Sequence, residues 1–442
     1  LGCRENQIDA EQILADLRRA GYTITPQAAD CDVVIINTCG FIDAAKAEAI
    51  ENILEFAQLK EEGRIRAVVV TGCLSERYRQ QILEEIPEVD AVVGIGANQS
   101  IPQIVKQVLE GKTHLEQYGE KTALPLEGER MLSTPPYTAY LKIAEGCSNH
   151  CTYCAIPSIR GPFRSRPMEK ILEEAKTLAA QGVKELILVA QDTTNYGSDL
   201  YGRYALTDLL KKLFEIKEFS WIRLLYCYPD KITDELLELM NGDNPLLPYL
   251  DLPLQHCADG VLKRMHRPML GEETRKLLEH IRQTVPGITL RTTLIAGFPG
   301  ETEQEFEQLC RFVKEMKFDR LGCFAYSQEE GTPAAKLGDQ LEEEVKQRRA
   351  ELVMEYQGRI MERLSKQKIG AVLPVMLEGY DRMNRCCFGR SEADAPEIDC
   401  KVFFQAVGNH HTGEIIPVEI TDTMDGDLLG REAGMPKRGK KG

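Results

Sequence analysis

The sequence predicts an α/β protein in three parts: an N-terminal doubly wound parallel sheet, a central partial (β/α) barrel and a small antiparallel C-terminal β-barrel. Three observations predict this class. Short unbroken runs of β-branched residues alternate with helical stretches over most of the chain, the pattern of parallel strands covered on both faces. Six such strand–helix units follow one another in its middle, a count that suits a partial barrel. Beyond residue 366 the pattern changes to short alternating strands with glycine-rich turns, which reads as a small barrel. The expected boundaries are residues 1–117, 134–365 and 366–432.

In the first part, strands are expected at Val33–Ile36, Ala67–Val70 and Ala91–Ile95, with helices at Ile42–Lys60, Ser75–Glu85 and Pro102–Glu110. Cys39 and Cys73 both stand just past the C-terminal end of a strand, the edge where ligands collect in an open parallel sheet. Cys3 takes the same place if a strand cut short at Leu1, which stands where a methionine is expected, precedes it. The neighbouring Gly2, Gly40 and Gly72 let the backbone approach a bulky group. Position alone is equally compatible with three core cysteines. Their recurrence at the same place, in a chain with another three-cysteine group, favours a metal cluster.

A stretch rich in Gly, Pro, Glu and Thr from Tyr118 to Pro136 reads as a linker. The six following strands are placed at Ala139–Ala144, Glu185–Ala190, Ile222–Tyr226, Tyr249–Leu252, Thr289–Ala296 and Arg320–Ala325, with helices between them such as Met168–Gln181 and Glu303–Met316. After the first strand comes Glu145-Gly-Cys147-Ser-Asn-His150-Cys151-Thr-Tyr153-Cys154, three thiols at spacings of four and three residues. Thiolates are the soft ligands that iron–sulfur clusters and zinc prefer. Three of them on a four-iron cluster leave one iron open for a substrate or cofactor. The rival is structural zinc with His150 or a distant cysteine as fourth ligand, but His150 adjoins Cys151 and no second CxxC follows nearby. Unliganded core cysteines are the third reading.

Barrel chemistry sits at the C-terminal ends of the strands. The candidates there are Gln191-Asp192, Gln255-His256, Gly297-Phe-Pro-Gly300-Glu301 and Tyr326-Ser327. His256 reads as hydrogen-bonded structure rather than a metal ligand. Arg160, Arg164 and Arg166 form a basic cluster in an acidic chain, and one of them is expected to pair with a carboxylate of cofactor or substrate, since guanidinium matches carboxylate bidentately.

Leu341–Lys366 reads as an amphipathic helix with Val345, Leu352, Val353, Tyr356, Ile360 and Leu364 on its apolar stripe. The terminal barrel is expected from strands Ala371–Leu377, Cys386–Gly389, Lys401–Phe404 and Glu414–Ile420. Between Lys366 and Asp427 it carries 11 Asp/Glu against 6 Lys/Arg, and the whole chain of 442 residues has a net charge of −15. That balance argues against direct nucleic-acid binding and suits a basic partner. The basic Pro436–Gly442 tail is expected to be disordered. No apolar run approaches the length of a membrane span, and 14 cysteines without a secretory signal indicate reduced thiols or metal sites, so a cytoplasmic location with no membrane partner is expected.

Cys-x-x-x-Cys-x-aromatic-Cys resembles the signature of radical S-adenosylmethionine (SAM) enzymes, and Ala155-Ile-Pro-Ser-Ile-Arg160-Gly-Pro-Phe-Arg164-Ser-Arg166-Pro resembles their methylthiotransferase branch. Leu-Gly-Cys3, Asn37-Thr-Cys39-Gly-Phe-Ile-Asp43 and Thr71-Gly-Cys73 look like the N-terminal domain of that family, and the last part resembles a TRAM domain. Val189-Ala-Gln-Asp192-Thr-Thr, Asp199-Leu-Tyr-Gly202, Leu247-Pro-Tyr-Leu-Asp251-Leu-Pro-Leu-Gln-His256 and Gly389–Asp399 are similar to the members that modify ribosomal protein S-twelve, not those that modify a tRNA adenosine. That family usually has Gly after the last aspartate, where this chain has Cys400.

The resemblance implies two four-iron ([4Fe-4S]) clusters, one on Cys147, Cys151 and Cys154 and an auxiliary one on Cys3, Cys39 and Cys73. SAM would bind the open iron of the first and be cleaved by one electron to a 5′-deoxyadenosyl radical. The radical would take hydrogen from the β-carbon of an aspartate in the ribosomal protein. The auxiliary cluster would carry the sulfur, which a second SAM would methylate. Tyr153 would pack near the adenine, Gly297 and Gly300 would line the nucleoside, and Gln191 and Asp192 belong to the same cofactor site. The reaction needs an electron donor such as flavodoxin or ferredoxin and a sulfur donor. Unactivated C–H bonds lie beyond ordinary side-chain chemistry. The other readings are a tRNA methylthiotransferase and a non-catalytic iron–sulfur sensor.

Overall fold

In the computed structural model the first helix, the 16 residues Arg4–Arg19, lies against the first barrel strand and buries Glu5, Asn6, Asp9 and Glu11 beside Ile8, Ile13 and Leu17. Residues 2–27, 31–124 and 126–434 are described, so Leu1 and the Pro436–Gly442 tail lie outside them. The first sheet has strands β1 (Val33–Thr38), β2 (Ala67–Gly72), β3 (Ala91–Val93) and β4 (Leu115–Gln117), all parallel, in that spatial order. Both faces are covered. Ala49, Ile53 and Ala57 of the Asp43–Glu61 helix pack on Ile36, Val68, Val70 and Val92, while Ile13, Leu17, Ile101, Ile104 and Val105 pack on Val69, Ala91 and Val93.

Two local expectations differ. The helix expected at Ser75–Glu85 is two short ones, Cys73–Tyr78 and Gln80–Glu85, because Arg79 turns to φ 44° and its guanidinium bonds the Glu76 carboxylate at 2.9 Å. The third strand stops at Val93, and residues 95–100 coil into a 3₁₀ turn that buries Ile95 against Cys73 and Ile159.

The central part has β5 (Thr138–Lys142), the short hairpin β6 (Ala144–Glu145) with β7 (Arg164–Ser165), then β8 (Glu185–Val189), β9 (Trp221–Leu224), β10 (Tyr249–Gln255), β11 (Thr289–Ala296) and β12 (Arg320–Ala325). The six long strands pair in parallel as β5-β8-β9 and β10-β11-β12. An Ile222–Leu246 bridge and a 2.9 Å bond from the Cys227 amide to the Asp251 carbonyl join the two halves. Helices cover the outside, several with clear start signals. Thr302 and Glu305 form a capping box for Glu303–Met316. The Glu343–Gln367 helix buries Val353 and Ile360, with Leu352, Tyr356 and Leu364 packed beside them, but Val345 is exposed.

The C-terminal part is a closed five-stranded barrel of β13 (Val372–Asp381), β14 (Cys386–Ser391), β15 (Val402–Gln405), β16 (Ile415–Met424) and β17 (Asp427–Glu432), in the order β13-β14-β15-β17-β16. One pair, β15 with β17, is parallel, and the rest are antiparallel. Cys400 lies in the turn before β15, its sulfur 4.0 Å from the Met361 sulfur. No helix among the described residues is long and apolar enough to cross a membrane.

The terminal barrel is fastened to the N-terminal ends of the central strands by buried charge. Glu185, the first residue of β8, takes Arg390 at 2.5 Å on one oxygen and Arg223 at 2.9 Å on the other, and all three side chains are sealed from solvent. Arg390 also holds Glu378 at 2.6 Å, and Arg320 of β12 pairs with Asp394. Removing one partner from such a group strands the other, at a cost of about 3–5 kcal/mol. Arg390→Ala is therefore expected to lower the thermal unfolding midpoint markedly, with Arg390→Lys between it and wild type. Equal midpoints for the wild type and the alanine variant would contradict this.

Candidate functional site

The three N-terminal thiols meet where the sequence places strand ends. Cys3 sits at the N-cap of Arg4–Arg19, Cys39 follows β1, and Cys73 opens the helix after β2. Their glycines are required by sterics. A Cβ on Gly72, which has φ 98°, would lie 2.4 Å from the Thr38 carbonyl oxygen, and one on Gly2 would come within 3.1 Å of the Cys39 Cβ. Cys3 and Cys73 feel one another's charge, as do Cys73 and Cys39. Burial raises the Cys73 thiol to about 11 although Arg160 opposes it, and burial raises Cys3 as well.

The second thiol group is a loop closed by the β6–β7 hairpin. A Cβ on Gly146 would collide with the Pro162 carbonyl at 2.2 Å, so only glycine lets the loop leave β6. The Cys147 amide bonds the Gly161 carbonyl at 3.2 Å, the Cys154 amide bonds the Cys151 carbonyl at 3.0 Å, and His150 adopts φ 53°. Asn149 donates to Asp192 at 2.7 Å and accepts from Lys231 at 3.0 Å, while Lys231 also pairs with Asp192. Asp192 thus pins the cysteine loop. Cys151 Sγ lies 2.9 Å from the Tyr228 hydroxyl and accepts from Arg267 at 3.8 Å, and that guanidinium lies 4.0 Å from the Tyr228 ring centroid. Burial raises Cys154 to about 12 and also raises Cys147.

These donor sets, buried or half-buried soft thiols in threes, have the chemistry that an iron–sulfur cluster takes. Among the described residues no three His, Cys, Asp or Glu side chains converge closely enough to hold one ion. A cluster takes one thiolate per iron and needs no such convergence. Thiols that burial keeps protonated are inert until a metal displaces their protons.

Between the two groups runs a buried quartet of charges. Asp9 bonds Lys142 at 2.5 Å and Arg160 at 2.9 Å, while Glu145 bonds the same pair at 2.6 and 2.8 Å. Two anions and two cations cancel, and every member is essentially inaccessible. Arg160 has a third contact, donating to the Cys73 sulfur at 3.6 Å. The short Ile156–Arg160 helix, which begins two residues after Cys154, packs Ile159 on Cys73.

The three arginines, one of which was expected to pair with a carboxylate of cofactor or substrate, are all engaged within the chain. Arg160 is in the quartet, Arg164 donates to the Thr122 and Lys121 carbonyls, and Arg166 bonds the Lys142 carbonyl and Glu174 at 2.6 and 2.7 Å. Tyr153 stands edge-on to Phe298, centroids 6.5 Å apart, in an apolar group with Met265 and Tyr326. Gly297 has φ 75°, donates its amide to Glu301, and faces Lys346, whose Cγ lies 2.4 Å from where a Cβ would be. Helix packing fills that side of Gly297. Gly300 has its open side 3.6 Å from the Arg264 guanidinium. His256 accepts from the Ala258 amide at 3.0 Å and sets its buried Nε2 3.3 Å from Glu301. Gln191 reaches Glu145 at 3.4 Å, and its buried carbonyl oxygen has no hydrogen-bond partner within the described residues.

Comparison with known proteins fixes the family. A family model described as uncharacterized protein family UPF0004 matches residues 1–94, the radical SAM superfamily matches 141–313, and the TRAM domain matches 369–432. The curated "Ribosomal protein uS12 methylthiotransferase RimO" of Desulforamulus reducens is 46% identical over 98% of each chain. Those of Clostridioides difficile and Pelotomaculum thermopropionicum are 46% and 48% identical over 97% of each chain. This chain belongs to the RimO family. The RimO-type fold also resembles a radical SAM methyltransferase from Kitasatospora setae, TsrM, at TM-score 0.52 and 14% identity over 75% of this chain and 74% of that one. The cobalamin-dependent enzyme OxsB is similar at TM-score 0.51, covering 87% of this chain and 61% of that one at 14% identity. These two likenesses concern the fold alone.

In this RimO-family chain sequence reading missed the residues that hold the thiols in place: Asp9, Lys142, Glu145, Tyr228, Lys231 and Arg267. Tyr228 and Lys231 stand just past the end of β9, so the strand-end rule that selected Gln191 could have found them. Asp9 gave no local signal.

Glu145 provides a test of the quartet. Burial alone would raise its carboxyl, but Arg160 and then Lys142 outweigh burial and bring it from 4.5 to about 2. Its folded pKa is depressed, so its stabilisation is complete above about pH 4.5 and is lost as the pH falls towards 2. Acid unfolding of the wild type should show a step in this window that Glu145→Gln lacks, and the variant should be less stable at neutral pH. Superimposable stability–pH curves would refute the assignment.

Proposed function

We propose that this protein is a radical SAM methylthiotransferase that places a methylthio group on the β-carbon of an aspartate in ribosomal protein uS12, the S-twelve protein. The observation that carries the reading is identity of 46–48% with uS12 methylthiotransferases over nearly the whole of both chains. Two groups of three thiols on separate α/β parts support two clusters. Cys147, Cys151 and Cys154 would hold the one that binds SAM, and Cys3, Cys39 and Cys73 the auxiliary one. Bound there, the cofactors supply the one-electron chemistry that activates an unreactive C–H bond, and the sulfur to be inserted.

The chain's own residues have distinct tasks in this reading. Tyr228 and Arg267 direct donors at the Cys151 sulfur, and Arg160 directs one at Cys73. Hydrogen bonds to ligating sulfur draw charge from it and tune the potential of the bound group. Asp192, Asn149 and Lys231 keep the cysteine loop in shape. Tyr153 offers its ring beside the loop for the adenine. Residues 1–117 carry the auxiliary site, 134–365 the radical site, and the acidic barrel of 366–432 suits a basic ribosomal protein. An electron donor such as flavodoxin or ferredoxin would deliver electrons in the cytoplasm, and a separate donor would restore the sulfur.

The test is mass spectrometry of uS12 and of tRNA nucleosides from cells with and without the gene. Loss of one methylthio group from a single uS12 aspartate is the expected result. Loss of a methylthioadenosine with uS12 unchanged would move the activity to tRNA, and no change in either would refute methylthio transfer. In the purified protein, Cys73→Ala should lower bound iron by about half while SAM cleavage persists, as one of two clusters is lost.

A further inference from the structure

One segment touches the surroundings of both thiol groups: the loop after β12, residues 326–337. At its far end the Ala334 amide bonds the carbonyl of Thr152, the residue after Cys151, at 2.9 Å. At its near end Glu329, only 2% exposed, reaches across to the N-terminal part. One Glu329 oxygen accepts from the Asp43 amide at 2.9 Å and the Ser327 hydroxyl at 2.7 Å. The other takes Arg77 at 2.8 Å and Lys46 at 3.0 Å.

Each of the three N-terminal partners, Asp43, Lys46 and Arg77, lies close in sequence to an N-terminal thiol. Arg77 is on the Cys73–Tyr78 helix and also holds the carbonyl of Gly40, next to Cys39, at 2.9 Å, and the Glu330 carbonyl at 2.6 Å. Asp43 is the first residue of Asp43–Glu61, whose N-cap is Ile42, a side chain that cannot accept a hydrogen bond. Glu329 therefore caps that helix from another part of the chain, where its charge also meets the positive end of the helix dipole. A buried carboxylate with two cations and a helix N-terminus around it is fully satisfied. Without it, Arg77 and Lys46, both nearly sealed, lose their shared anion.

We infer that Glu329 is a positioning residue that locks the Cys3/Cys39/Cys73 group over the end of the central barrel, and that sulfur transfer depends on this lock while SAM cleavage does not. The inference rests on the functional reading above and adds to it a residue that touches neither thiol group. SAM cleavage requires only the Cys147/Cys151/Cys154 site. Delivery of sulfur to a carbon activated there requires both groups at a fixed separation, where a displacement of about 1 Å can cost a hundredfold. Glu329 is thus expected to govern the ratio of the two outcomes.

The experiment compares wild type, Glu329→Gln and Glu329→Ala in the full chain. Glu329→Gln keeps an acceptor for the Asp43 amide and removes the charge. First, hydrogen exchange on the cluster-free protein: amides of residues 43–46 should exchange roughly tenfold faster in Glu329→Ala, with a smaller change in Glu329→Gln and none in β10 to β12. Second, reconstituted enzyme with SAM, chemical reductant and uS12: 5′-deoxyadenosine formation should stay within about twofold of wild type, while methylthiolated uS12 per 5′-deoxyadenosine falls about tenfold in Glu329→Ala. Unchanged exchange at residues 43–46 would overturn the lock. An unchanged ratio, or an equal fall in both products, would overturn its role in sulfur transfer. A wild type that cleaves SAM yet leaves uS12 unmodified would count against the functional reading instead, and exchange would still decide whether Glu329 is the lock.

Discussion

The neutral quartet of Asp9, Lys142, Glu145 and Arg160 is the constraint on which the rest of the structure depends. Charges buried this completely are tolerable only when each is paired with an opposite charge. Asp9 comes from the first helix, Lys142 and Glu145 from the first barrel strand and its hairpin, and Arg160 from the segment after the cysteine loop. Four charges from three places leave few arrangements that satisfy all of them. Such a network contributes less to net stability than hydrophobic packing would, and more to the choice of one geometry. Here the geometry chosen places a guanidinium against Cys73 and the end of the second thiol loop a few residues away.

Electrostatic design of this kind recurs at three levels. The quartet joins the first helix to the barrel, Glu329 joins the first sheet to the loop after β12, and Glu185 joins the terminal barrel to the strand bases. In each case an arginine is among the bridging cations and makes two or more directed bonds. The hydrophobic core of the central barrel supplies cohesion, while these charges determine which surfaces face one another.

Much of this architecture was legible in the sequence, for a physical reason. Parallel strands buried on both faces appear as unbroken apolar runs, so β8, β11 and β12 lie within a residue of their expected limits. The strands that escaped notice are those lacking that signature: Leu115-Glu-Gln117 is mostly exposed, β6 and β7 have two residues each, and β17 buries only Leu428. The first helix escaped because its buried face carries Glu5, Asn6, Asp9 and Glu11, so it shows no clean apolar stripe. Cysteine spacing located both thiol groups, whereas their supporting residues depend on contacts distant in sequence. Asp9 meets partners 133 and 151 positions away, which no local pattern discloses. The arginines after the cysteine loop were singled out as unusual, but their partners are internal: Asp9 and Glu145 for Arg160, backbone carbonyls for Arg164, and Glu174 with the Lys142 carbonyl for Arg166.

The clasp on Glu185 has a consequence for the order in which the molecule is made. Arg223 follows Glu185 by 38 residues, but Arg390 follows it by 205. At about 5–20 residues per second, a ribosome needs roughly 10–40 s to reach the second arginine after the glutamate has been added. Throughout that interval the base of the central barrel holds a carboxylate with half its partners still to be synthesised. Vectorial production thus leaves the emerging barrel hydrated at one end and closes it only when the last part of the chain arrives. The final domain completes the solvent-free interior of the one before it.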